Sequence, residues 1–173
     1  MMQVAYAGTG LWLSDGATNI MPVGPHRAEK GESLTSDQVH ENREIVHRAW
    51  RLHVDHIRHS LVNAYYQGWD LHAAQLPTRY AAVYAFFLES LGTATARLRN
   101  FIGKAGQATL VGDVFDDAAT GQGLLNFFLR AINCGAIGED EATSRTGLTL
   151  EEIQTRSFLA ILEGRTGQVS ERP

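Results

Sequence analysis

The sequence is poor in several things, and each scarcity removes a class of reading. It has one cysteine, Cys134, in 173 residues. A lone thiol makes no internal disulfide, which fits a reducing compartment. Its neighbours Asn133 and Gly135 bring no cation that would stabilise a thiolate, so Cys134 is not read as a nucleophile. Neither sign of charge dominates: 15 Lys and Arg stand against 19 Asp and Glu, for a formal net charge of -4. That balance gives no electrostatic reason to expect nucleic acid or an anionic membrane as partner. No apolar run approaches the ~20 residues of a membrane span. The opening MMQVAYAGTG lacks a basic n-region and does not read as a signal peptide, so a cytoplasmic protein is expected. There is no internal repeat and no low-complexity segment.

What is there reads as an ordinary soluble domain, with hydrophobic residues at 44% and charged residues at 20%. Met2 to Ala7 is small and apolar, like the last turn of a helix. Gly8 and Gly10 follow, and their place before a strand suits a cap and turn rather than a phosphate cradle. Leu11, Trp12 and Leu13 form a short apolar segment stopped by Ser14, Asp15 and Gly16, which predicts a strand. A long loop runs to about Ser36. Thr35 and Gln38 have capping-box spacing, and Val46, Trp50, His53, Ile57, Leu61 and Ala64 mark one helical face. Gly68 is a natural stop, and Trp69 to His72 reads as a second short extended segment. Pro77 opens another helix, with Tyr84, Phe87, Leu88, Leu91, Leu98, Phe101 and Ile102 on its face to about Gly103. Gly103 to Asp117 reads as a connector. Helices are then expected over Ala118–Asn133 and Leu148–Glu163, the latter with Thr149 and Glu152 as a second capping box, and the tail from Gly164 reads as frayed.

Three clusters bear on chemistry. In HVDHIRH, His53, His56 and His59 are spaced by three around Asp55. Two His and a carboxylate can bind zinc, but successive steps of three drift around a helix and no H-E-x-x-H or C-x-x-C accompanies them. His53 therefore reads as a histidine at the core edge, and the other two as solvated. In LSDGATN, Asp15 follows the first predicted strand, where ligands bind in parallel α/β folds, with Asn19 on the same loop. The same Asp15 and Gly16 equally suit a turn in which the carboxylate bonds its own backbone. In GWDLHAAQ, Asp70 alternates with Trp69 and Leu71 and so shares a face with His72, and Gln75 lies in the following turn. Here the alternative is a satisfied buried histidine beside a carboxylate at a helix start.

The stretch GWDLHAAQLPTRYAAVYAFF resembles the last strand and helix of the HpcH/HpaI aldolase and citrate lyase β-subunit family. That family carries a glycine, a short strand ending in His, and a Gln two residues after a Pro. Gly68, His72 and Gln75 match, while Ala73 stands where the family has Pro and Trp69 where it has Lys. LWLSDG is similar to the family's preceding strand, which ends in Asp near Asp15. The resemblance covers about Met1 to Leu91.

It implies an α/β protein: the last two βα units of a TIM (β/α)8 barrel over residues 1–103, followed by a helical extension over 104–173, the chain by itself being mostly helical. A whole barrel takes roughly 250 residues and eight strands. The implied activity is metal-dependent cleavage or formation of a carbon–carbon bond in oxo-acid or acyl-CoA substrates. Magnesium would stabilise the enolate, held by a Glu and an Asp expected upstream of Met1. No metal ligand is assigned within this chain, no residue is assigned as catalytic acid or base, and inactivity alone is expected. Asp15, Asn19, Asp70, His72 and Gln75 are the expected substrate-binding residues at the mouth of the site. Self-association, or pairing with the missing part of the barrel, is the expected assembly. A non-catalytic helical interaction module, or a decayed fragment, is the alternative reading.

Overall fold

The computed structural model describes residues 5–6, 11, 13–66, 68–111 and 118–170. Among them every regular element is helical: α1 (Ser36–Val62), a 3-10 turn (Ala73–Gln75), α2 (Leu76–Val111), α3 (Ala118–Asn133), α4 (Glu139–Thr146), α5 (Leu150–Gln154) and α6 (Phe158–Ser170). No strand occurs among the described residues, and this corrects the expected barrel segment. Leu13 is coil, and the stretch from Trp69 to His72 passes through coil and bend straight into the 3-10 turn. Sheet ladders need a partner strand for every backbone group. In this stretch, side chains of the same chain take that place. Of the helix end predicted over Met2 to Ala7, only Ala5, helical, and Tyr6, in a turn, are among the described residues; Gly8, Gly10 and Trp12 lie outside them. No helix among those described is long and apolar enough to cross a membrane.

The chain divides into two compact units, Met1–Phe86 and Phe87–Pro173. In the first, α1 starts where the capping box predicts: Thr35 accepts from the Gln38 amide, and the Gln38 side chain returns to the Thr35 amide. Its inward face, Ala49, His53, Ile57 and Leu61, advances in steps of four. Ile57 and Leu61 pack with Ala82 of α2, flanked by Val54, Tyr66, Val83 and Phe86. The helix closes at Val62, two residues before Ala64, the last position of its predicted face. The Tyr65 amide reaches Ser60 O at 2.8 Å and the Ala64 amide reaches Leu61 O at 3.0 Å. This is a Schellman closure with alanine, φ 61°, in the left-handed position usually given to glycine.

The loop before α1 runs antiparallel along it as a strap. Asp15 meets Ser60, Thr18 meets His56, and His26 meets Glu41 and Asn42. The Asn42 amide group bonds both backbone groups of His26, each at 2.9 Å, so the strap is held where no backbone ladder exists.

In the second unit the core comprises Leu91, Leu98, Leu125, Phe128, Ile153, Phe158 and Ile161 among others. α2 runs to Val111, eight residues past Gly103, through much of the expected connector. α3 has the predicted bounds. The predicted single helix over Leu148–Glu163 is instead two, α5 and α6, parted at Arg156, whose φ is 55°. The Gln122 side chain spans that break, accepting from the Phe158 amide at 2.8 Å and donating to Arg156 O at 3.0 Å. The second capping box forms as expected at Thr149 and Glu152, and Arg165 grips the Glu152 carboxylate. α6 continues to Ser170, across the tail read as frayed.

Candidate functional site: a loop locked by Gln75 and Asp70

The segment from Gly68 to Gln75 has no backbone ladder, so its side chains decide its shape. Gln75 is fully buried, at 0% exposure. Its side-chain oxygen accepts from the amides of Leu71 at 2.8 Å and His72 at 3.2 Å. Its side-chain nitrogen donates to Thr18 O at 2.9 Å and more weakly to Ile20 O at 3.5 Å. One amide thus ties the loop to the strap on both sides of Asn19. From α1, the Trp50 indole N–H reaches Ala74 O at 2.9 Å.

Asp70 is the second anchor. Its side chain is 11% exposed and lies between His53 Nε2 at 2.9 Å and the Arg79 guanidinium at 2.8 Å. Burial pushes the Asp70 carboxyl up, but the hydrogen bonds and charge of Arg79, with help from His53, outweigh it and hold the group below its usual value. Burial pushes His53 down and the Arg79 charge adds to this; the charge and hydrogen bond of Asp70 pull the other way without restoring the usual value. His53 also lies 2.8 Å from Thr78 Oγ1 through Nδ1. Gly68 lies close beside this pair: a Cβ there would stand 2.5 Å from an Arg79 guanidinium nitrogen and would displace a group that is bonded to Asp70.

The order hydroxyl, imidazole, carboxylate is that of a nucleophile, its base and its orienting group. Two facts turn it into a clamp. His53 is 1% exposed, so no substrate reaches it, and the Asp70 carboxylate is already neutralised by Arg79.

The five expected site residues therefore separate. Asp70 and Gln75 point inward and build the loop. Asp15 is exposed and anchors the strap by accepting from Ser60 Oγ at 2.7 Å. Asn19 is exposed, between the two carbonyls that Gln75 holds. His72 is exposed, and its ring is oriented: Nδ1 accepts from the Ala74 amide at 3.0 Å, capping the 3-10 turn. An amide can only donate, so the neutral ring carries its proton on Nε2, at the solvent side. The apolar stripe predicts His53 at the core edge, but the sequence reading points neither to its bond to Asp70 nor to Thr78 and Arg79. A histidine on an apolar stripe needs a polar partner, and that was the available signal.

The resemblance implies magnesium. Among the described residues no group of three or more His, Cys, Asp or Glu is placed to hold a metal ion. Asp15 and Asp70 are engaged with Ser60 and with Arg79 and His53. These residues do not fit a metal site. In HVDHIRH, His53 turns to Asp70 and His56 to Thr18, so these two histidines diverge.

The site thus belongs to an all-helical unit, among the residues described, that presents one oriented histidine on a side-chain-locked loop. The chain belongs to the family described as "Domain of unknown function (DUF6986)", which matches residues 1–161. No curated protein and no solved structure matches it.

Proposed function

We propose that this chain serves a carbon–carbon lyase acting on oxo-acids or their acyl-CoA counterparts, and that its part is to hold substrate rather than to break the bond. The reading starts from the resemblance carried by Gly68, His72 and Gln75. The observation that supports it is how these three are used: Gly68 and Gln75 build the loop, and His72 alone offers a group to solvent, with its Nε2–H oriented. An oriented N–H suits a carboxylate or carbonyl oxygen of an oxo-acid. The metal and its carboxylates come, in this reading, from outside this chain, and no catalytic acid or base is assigned here.

The test is a titration of the full chain with pyruvate and with oxaloacetate, following the His72 ring nitrogens by NMR. Saturable shifts through the millimolar range, lost in His72→Ala, are expected. Unmoved His72 signals with both acids would overturn the proposal. A second reading, a helical module that docks a protein, is favoured by the exposed Ile20, Leu71 and Leu76 around the same turn. Concentration-dependent sedimentation suppressed by Leu71→Ser, with no response to oxo-acids, would select it.

A further inference from the structure

The His53 clamp contains a hydroxyl with two acceptors in reach. Thr78 Oγ1 lies 2.8 Å from His53 Nδ1 and 2.9 Å from Gln75 O. On the far side of the ring, Nε2 faces Asp70, a carboxylate tied to Arg79. An ionised carboxylate only accepts, so Nε2 keeps its proton in every state of the ring. In the neutral ring Nδ1 is then an acceptor and takes the Thr78 O–H. In the charged ring Nδ1–H becomes a donor, and the bond to Thr78 must reverse.

We infer that the Thr78 hydroxyl is a rotor that lets His53 gain a proton without releasing the loop over residues 68–75. The proton comes from solvent, and no heavy atom needs to move. The hydroxyl turns about its C–O bond from Nδ1 to Gln75 O, and its oxygen accepts the new Nδ1–H. Every hydrogen bond of the clamp is replaced in kind, and the ring now faces Asp70 as a full ion pair. The charged or titratable groups facing His53 are Asp70 from the loop, Arg79 from α2 and His56 on its own helix. The cost of burying the charge beside Arg79 sets when the proton is gained. The rotor sets what happens to the loop when it is. A valine at the same position would leave a buried Nδ1–H unmatched, which costs more than a bond never made. The inference does not depend on what His72 binds.

The test follows the His53 ring by long-range nitrogen–proton NMR in the full chain, from about pH 8 to about pH 4. Exchange of the Leu71 and His72 amides is read in the same samples. At high pH the wild type should show the Nε2–H tautomer. Through the titration the Nε2–H signal and the protection of both amides should persist. In Thr78→Val, protection of both amides should be lost as His53 gains its proton, while Thr78→Ser should behave as wild type. An Nδ1–H tautomer in the wild type at high pH would overturn the inference, as would full protection throughout in Thr78→Val. Should the valine variant not fold, the wild-type tautomer and its persistence on titration decide.

Discussion

Gln75 offers the sharpest test of how the loop is held. Replacing it with leucine keeps the volume and removes every polar atom of a fully buried side chain. Two short bonds are lost, to the Leu71 amide at 2.8 Å and to Thr18 O at 2.9 Å, and the leucine that takes the buried place of Gln75 offers neither a partner. A buried group left without a partner costs about 1–3 kcal/mol, so two cost about 4 kcal/mol, against about 1 kcal/mol gained from the more apolar side chain. The net loss of about 3 kcal/mol should lower a urea midpoint by about 1.5 M at a slope of about 2 kcal/mol/M. Tryptophan fluorescence is the assay, since Trp12, Trp50 and Trp69 all fall in the first unit. Gln75→Glu is the companion. Its carboxyl keeps the acceptor for Leu71 and His72 but sets an oxygen against Thr18 O, which only a protonated form can satisfy. The introduced group should therefore titrate above the ordinary Glu value. Its stabilising effect is present below the unfolded value and lost as pH rises through the folded one. Near-wild-type stability at about pH 4, approaching the leucine variant at about pH 8, is expected. A midpoint shift under about 0.3 M for Gln75→Leu would refute the view that this amide holds the loop.

Other expectations follow from the same contacts. Both shifted groups of the clamp lower stability in acid. Because the folded value of His53 lies below 6.5, its contribution is full above 6.5 and is lost as pH falls through the folded value. Asp70 adds a second loss that begins near 3.8; a melting temperature flat from neutrality down to about pH 4 would contradict the His53 contribution, and one with no further fall below about pH 3.8 would contradict that of Asp70. Ala64→Gly, at φ 61°, should raise stability by about 0.5 kcal/mol, as relief of left-handed strain exceeds the added chain entropy, read as a higher urea midpoint. Gly121→Ala would drive a methyl into the Phe158 ring and should cost about 2 kcal/mol or more, seen as an earlier melt of the second unit by calorimetry. Thr149→Ala removes an N-cap and should cost about 1 kcal/mol, measured by chemical denaturation.

The helices were legible because their signals are local. Thr35 with Gln38, and Thr149 with Glu152, close bonds within four residues, and no distant partner can cancel them. α4 escaped notice because its eight residues, EDEATSRT, are almost entirely polar and bury only Ala142 and Thr146. The strands were misread for a related reason. Alternation over Trp69 to His72 fits a strand, but four residues also fit a loop whose polar positions turn inward. The choice rests on Gln75, Asp70 and Arg79 meeting Thr18 and His53, at separations up to 57 residues.

By itself, then, the sequence determined where the long helices begin, which of their faces turn inward, and that Gly68, His72 and Gln75 belong to one constellation. Only the tertiary structure decided what each does there. Whether a polar side chain serves a ligand or the fold depends on what stands within about 3 Å of it. For Gln75 and Asp70 those neighbours are the strap, α1 and α2, and for His72 a single amide holds one ring nitrogen and leaves the other to solvent.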